Sequence, residues 1–413
     1  MKIAQVKAIE ILDSRGNPTI RTFVFLDNDV FASSSVPSGA STGSHEAVEL
    51  RDNDKNRYFG FGVKKAVENV NKILAPKLIG QEIDEASFEK IDKLMIEIDA
   101  TENKSYLGAN AILSVSQALI RVFALATKKP LWQVLNQVYF AGKKPSFPRL
   151  MVNVINGGKH ASWNFDIQEF MISPTKNSPS QAVQVASEIF HQLDKNLKEK
   201  GFSTLVGDEG GYSPALKNNT EVFEVILESA KKINYQNGKD FNLAIDSAAS
   251  EFYENGTYFF KKEGKKLTTN ELIAYYKNLK NQYQIFSFED PFEENDWNGF
   301  KKFTREIDAM VVGDDLYTTN PNLIKKGIKE EATNSVLIKP NQIGTIFETA
   351  QAINLAKNNG WKVIVSHRSG ETEDSFIADL AYASSADFIK TGSMSRSERL
   401  AKYNRLIEIE NNL

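Results

Sequence analysis

The sequence predicts an α/β protein: a C-terminal (β/α)8-type barrel over residues 139–413, preceded by an N-terminal α+β domain over residues 1–138 built from a three-stranded meander and helices. Three observations carry this reading. Residues 3–37 are β-rich and residues 61–138 take a helical period, after which Gly142-Lys-Lys-Pro-Ser-Phe-Pro148 reads as a boundary linker. Beyond Pro148, six apolar runs each end in an ionisable residue, and from Glu289 onward those ends recur every 23 to 28 residues, the span of a strand with its crossover helix. The length left after Pro148, in a chain of 413 residues, suits the ~250 residues of such a barrel.

Taken in order, residues 3–12 and 19–26 read as strands separated by the turn-formers Asp13-Ser-Arg-Gly-Asn-Pro18, and Val30-Phe-Ala32 leads into a turn-rich segment at 33–43. Residues 105–120 carry no charge but include Asn110, Ser114, Ser116 and Gln117, which makes them too short and too polar to span a bilayer. They are expected to form a buried core helix. The first twelve residues, MKIAQVKAIEIL, lack the apolar core and cleavage site of a signal peptide. A soluble, cytoplasmic protein is therefore expected.

In the second half, Ser178 as N-cap, Pro179 at N1, Gln181 at N3 and Gly201 beyond the end mark a helix. Its apolar stripe is Ala182, Val185, Ala186, Ile189, Leu193 and Leu197; His191 falls off the stripe and is expected to have no role. The strands that follow end at Asp246, Glu289, Asp314, Lys339, His367 and Lys390. The long interval between Asp246 and Glu289 holds a hairpin signal, Tyr253-Glu-Asn-Gly-Thr-Tyr258. A doubly wound open sheet is the alternative; it needs a Gly-rich fingerprint after its first strand, and none is present.

Composition narrows the chemistry. Fifty basic and fifty-three acidic residues give a net charge of −3, with no footprint for nucleic acid. Cysteine is absent, which excludes disulfides, thiolate metal sites and a cysteine nucleophile. With four histidines, any metal is expected to be a hard cation held by carboxylates. Asp246, Glu289 and Asp314 would end neighbouring strands, where three converging carboxylates repel one another unless a cation such as Mg2+ sits among them. The plainer reading is that each caps the next helix.

Lys339 and Lys390 end strands on the same rim, either as a base and an electrostatic partner or as structural ion pairs. Gly207-Asp-Glu-Gly-Gly-Tyr-Ser-Pro214 presents Glu209 on a tight loop or is a simple turn. Ser38-Gly-Ala-Ser-Thr-Gly43 reads as a lid or a plain connection, and His367-Arg-Ser369 suits a phosphate. Lys261-Lys-Glu-Gly-Lys-Lys266 reads as a solvated hairpin tip.

These blocks, with Gly108-Ala-Asn-Ala-Ile112, Asn156-Gly-Gly-Lys-His160, Gln168-Glu-Phe-Met171, Ser247-Ala-Ala-Ser-Glu-Phe252, Asn341-Gln-Ile-Gly344, Ser366-His-Arg-Ser-Gly-Glu-Thr-Glu-Asp374 and Lys390-Thr-Gly-Ser-Met-Ser-Arg-Ser-Glu-Arg399, resemble the enolase family in its glycolytic branch, from residue 3 to about 410. The resemblance implies a ββαα(βα)6 barrel and the reversible dehydration of 2-phospho-D-glycerate to phosphoenolpyruvate with two Mg2+. It implies Lys339 as the base at C2, and Glu209, assisted by Glu169, as the acid for the departing C3 hydroxyl. Asp246, Glu289 and Asp314 match the ligands of one metal, and Ser41 matches a ligand of the second. His160, Gln168, Lys339, His367, Arg368, Ser369 and Lys390 match substrate contacts.

Residues 33–35 are all serine where the family has small apolar residues, and the chain stops at Asn-Asn-Leu413; either is expected to alter loop stiffness or subunit packing. The family implies a homodimer, in some members an octamer. A lyase or racemase for a non-phosphorylated acid is the rival within catalysis, and Arg368-Ser369 argues against it. A host-protein-binding role on a secondary cell-surface fraction is the rival of another class, at most an addition to the enzyme.

Overall fold

Alternation of inward apolar and outward polar residues builds an N-terminal antiparallel sheet of β1 (Ile3–Leu12), β2 (Pro18–Leu26) and β3 (Phe31–Ser35), in that order. In the computed structural model, which describes residues 1–39, 43–142, 144–161 and 163–413, the helix Ala109–Ala126 packs on β2 and β3. By length and composition alone this helix could cross a membrane, yet most of it is buried inside the domain as its core element. Its polar groups are paired there. Ser114 shares a hydrogen bond with Thr22 at 2.6 Å, and Ser116 donates to Asp92 at 2.9 Å.

Strand β3 runs on through residues 33–35, which the sequence reading placed in a turn-rich segment. Partners on both sides make the serines acceptable in a strand. Ser34 Oγ lies 3.0 Å from Gln117 Oε1 and 2.9 Å from Asp374 Oδ2, while the Ser35 amide donates to the same Asp374 oxygen at 2.9 Å. Arg121 closes the group, its Nη2 2.6 Å from Asp374 Oδ1. Asp374 belongs to the barrel half, so this largely buried ion pair ties the two halves together.

The barrel half contributes β4 (Arg149–Asn156), β5 (Glu169–Pro174), β6 (Phe241–Asp246), a small sheet of β7 (Tyr253–Glu254), β8 (Thr257–Phe260) and β9 (Lys265–Leu267), then β10 (Ile285–Glu289), β11 (Met310–Gly313), β12 (Ser335–Ile338), β13 (Lys362–Ser366) and β14 (Phe388–Lys390). Among the described residues, eight strands close in the order β10-β11-β12-β13-β14-β4-β5-β6. Strand β5 is antiparallel to both neighbours and the other pairings are parallel. Two helices, Pro179–Glu199 and Asn219–Lys232, follow β5, and after each of β6 and β10 to β14 the chain forms helix before the next barrel strand or the chain end. This is the ββαα(βα)6 order.

The first of those helices starts where its caps say: Ser178 Oγ accepts from the Gln181 amide at 3.3 Å, and Gly201 beyond the end adopts φ +78°. Its expected stripe is buried and His191 is exposed. The hairpin turn at Asn255-Gly256 has φ positive at both residues. Inside the ring, Met151, Met171, Ala244, Val312, Leu337, Ile364 and Phe388, one from each of seven strands, pack into a solid interior. That plug leaves the rims as the places for chemistry.

Candidate active site

Because β5 runs backwards, its first residue stands at the rim where the other strands end. Glu169 pairs in register with Asp246 at the end of β6 and with Asn156 at the end of β4. Lys390, the last residue of β14, reaches into this group: its Nζ is 3.0 Å from Asp246, 2.9 Å from Glu289 and 3.1 Å from Glu169. Further round the rim Lys339 bonds Asp314, whose other oxygen accepts from Gln342 at 2.9 Å. The Lys339 amide donates to Thr319 Oγ1 at 2.9 Å, and that hydroxyl donates to Gln342 at 2.7 Å, so one short relay fixes both the lysine backbone and its acid.

Glu209 arrives on the loop between the two helices that follow β5. The loop lies against β4: the Asn156 amide donates to Tyr212 O at 2.8 Å, and the Tyr212 amide to Val154 O at 2.9 Å. A Cβ at Gly211 would stand 2.1 Å from Asn156 Oδ1, so this approach requires glycine. Asn153 then donates to Glu209 Oε2 at 3.1 Å, and His367 Nε2 faces the same oxygen at 3.5 Å. Arg368 is gripped by Glu46, at 2.9 and 3.2 Å, and by Asn341 at 3.1 Å. Ser38, where the Ser/Gly loop begins, exchanges backbone hydrogen bonds with Gly370 and donates to Asp13 at 2.6 Å.

One cavity is lined by Glu169, Glu209, Asp246, Asp314, Lys339 and Lys390, together with Gln168 and the run Ser366 to Ser369. Glu289 does not line it; it stands behind Lys390. Of the expected residues, Ser41 lies outside the described residues, as does the side chain of His160. Among the described residues, carboxylate oxygens of Asp290, Asp314 and Asp315 lie within 4.8 Å of one another. Asp290 and Asp315 also line the cavity, and neither was singled out from the sequence, although each directly follows a residue that was. Asp290 has a bracing role: its two oxygens accept from the amides of Asp314 and Asp315 at 2.8 and 2.9 Å. Asn153, Glu46 and Gln342 were also missed, since each acts through another side chain and leaves no spacing signal.

The electrostatics follow from this crowding. Burial, then the charges of Asp246 and Asp314, push the Glu289 carboxyl well above its ordinary range despite Lys390. Burial and the neighbouring Glu209 do the same to Glu169. The lysines, by contrast, are held in their charged form. Burial opposes each ammonium, but Asp314 holds the pKa of Lys339 up, and Asp246 with Glu169 and Glu289 hold that of Lys390 well up. Burial drives His367 well below its usual value.

These acids suit a hard divalent cation. Among the described residues Glu289 Oε2 is buried with no hydrogen bond, and the surrounding donors are carboxylate oxygens short of positive charge. The fold and rim define a barrel enzyme that handles a small anion with acids and lysines at its strand ends. Family comparison agrees: residues 3–135 match the model described as enolase, N-terminal domain, and residues 144–413 that of the enolase C-terminal TIM barrel domain. Proteins named enolase from two strains of Ureaplasma parvum serovar 3 are each 51% identical over 427 aligned positions, covering 100% of this chain and 97% of theirs. The chain belongs to the enolase family and is an enzyme of it, which implies a small-molecule substrate and a divalent metal.

Proposed function

We propose that this enzyme reversibly dehydrates 2-phospho-D-glycerate to phosphoenolpyruvate in glycolysis and gluconeogenesis, with two Mg2+ per site. The observation that carries the reading is one cavity lined by a lysine, Lys339, a carboxyl group, Glu209, on a separate loop, and a guanidinium, Arg368, held between Glu46 and Asn341. The bound ions would supply positive charge against which negative charge can build on the substrate carboxylate once C2 is deprotonated. Asp246, Glu289 and Asp314 would hold one of them, and Ser41 the other.

In this reading Lys339 Nζ takes the C2 proton. It can do so only when neutral, so the Asp314 charge that now keeps it protonated must be engaged elsewhere at that moment. Glu209 gives its proton to the C3 oxygen, which leaves as water. Glu169, whose carboxyl is pushed up beside Glu209, shares the proton of that pair. Lys390 and Gln168 orient the substrate carboxylate end with His160, and Arg368 with Ser369 holds the phosphate end.

A cytoplasmic homodimer belongs to the same reading, supported by the cysteine-free composition and the family likeness. The deciding assay follows absorbance of the enol product from 2-phosphoglycerate near neutral pH. A rise that depends on added Mg2+ is expected, and its absence would end the proposal.

A further inference from the structure

We propose that Arg399 is a positioning residue that holds His367 in its neutral, Nε2-protonated tautomer and so keeps a permanent N–H donor aimed at Glu209. Arg399 opens the helix Ser397–Glu410 and is fully buried. Its Nη1 lies 2.7 Å from His367 Nδ1. A guanidinium has donors only, so Nδ1 must be the acceptor and cannot carry a proton. The ring proton then sits on Nε2, which faces Glu209 Oε2 at 3.5 Å, somewhat longer than an ordinary N–H···O bond but close enough to aim the donor at that oxygen.

The same guanidinium holds the backbone on both sides of this contact. It donates to Arg368 O and Ser369 O, each at 2.6 Å, and to Asp208 O at 3.1 Å. One side chain therefore sets the distance between the strand-end run that carries His367 and the loop that carries Glu209. Gly392 (φ +80°) makes room for it: a Cβ there would stand 2.8 Å from both Arg399 Cδ and Glu209 O. The charged groups around the ring are Glu209, which attracts a second proton, and Arg399, Lys390 and Lys339, which repel it. Tyr403 spends its hydroxyl on Gly392 O at 2.8 Å and adds no charge.

The chemical consequence rests on the proposed role of Glu209. A donor fixed on a carboxylate favours its ionised form, so a lasting Nε2–H makes Glu209 readier to release its proton to the leaving oxygen. An imidazolium at His367 would instead pair with Glu209 and hold it ionised from the start.

The test is nitrogen NMR of the 15N-labelled enzyme across about pH 5 to 8, where a free histidine titrates. His367 is assigned by the signal lost in His367→Gln. A bare Nδ1 and a protonated Nε2 at every pH are expected; an imidazolium or the Nδ1–H form overturns the proposal. Arg399→Met should let His367 titrate and cut dehydration by about tenfold or more, and Arg399→Lys, which still offers a donor, should restore the Nε2–H form. An unchanged His367 spectrum in Arg399→Met also overturns it. Should that variant not fold, the native spectrum alone decides. If Glu209 were not the acid, dehydration would survive Glu209→Gln while the tautomer result stood, so the two failures are separable.

Discussion

Glu169, the first residue of β5, lies opposite Asp246, the last residue of β6, in an antiparallel ladder within an otherwise parallel barrel. Reversing that single strand adds a carboxylate to the rim from a strand start. Lys390 answers the added charge, with one ammonium between 2.9 and 3.1 Å from three acids. Three carboxylates around one cation leave a net negative hollow, and Glu289 shows the strain by being pushed towards its neutral form. The rim is thus built to welcome further positive charge.

Replacing Glu289 by Gln removes one of those charges and keeps the shape. Mg2+ affinity, measured by calorimetric titration, is expected to fall about tenfold or more, as when one charged oxygen ligand is lost from a hard-cation site. An unchanged titration would remove Glu289 from the ligand set.

For Lys339→Ala, exchange of the C2 proton with solvent should fall by about a hundredfold or more, as expected for a lost general base. Metal binding should be largely kept, because Asp314 retains its hydrogen bond from Gln342 when its partner ammonium goes. Exchange at the native rate would reject Lys339 as the base.

Glu209→Gln separates the two halves of the reaction. C2 exchange should continue while loss of water drops by about a hundredfold or more, since the amide can accept from Asn153 but has no proton to give the leaving oxygen. Equal loss of both activities would assign Glu209 elsewhere.

How much of this site was legible depended on which strand carried each residue. The parallel strands announce themselves: an apolar run closed by one charged residue, at a nearly constant interval, marked Asp246, Glu289, Asp314, Lys339, His367 and Lys390, and each stands at or one residue beyond the end of its strand. Glu169 could not be found that way, because on a reversed strand the rim residue precedes the apolar run. Only the family likeness pointed to it. The side chains that brace others, such as Asn153 on Glu209 and Glu46 on Arg368, come from distant parts of the chain and share no period with what they touch. The serines of β3 looked like turn-formers because the side chain that satisfies two of them, Asp374, lies over three hundred residues away.

The Arg121–Asp374 pair makes that long-range join testable. Burial works to raise the Asp374 carboxyl, but Arg121 outweighs it and holds the pKa below the ordinary value. A depressed acid stabilises the fold at pH above its unfolded pKa of ~4 and loses that contribution as pH falls through the folded value. Arg121→Met strands a buried carboxylate and should cost about 3–5 kcal/mol at neutral pH by urea denaturation, with the gap to the native protein closing in acid. A loss that stays constant with pH would mean the pair is not what joins the halves.

Asp92 has the opposite sign. It is buried against the first turn of the helix Ile346–Asn358, where it accepts from the Phe347 amide at 3.0 Å and from Ser116 at 2.9 Å. Burial lifts its pKa to about 7, with Phe347 and Ser116 pulling back, Glu348 pushing up and Lys104 pulling down. Between the ordinary aspartate value of ~4 and that raised value, the folded chain binds a proton that the unfolded chain has lost, so stability falls as pH rises through the window. An asparagine keeps an oxygen for both donors and never ionises. Asp92→Asn should therefore match the native protein near the acid end of the window and exceed it above the raised value, by on the order of 4 kcal/mol if the full shift is expressed. Urea midpoints taken at both ends would decide the matter: stability curves that run parallel across the window would show that Asp92 takes up no proton on folding.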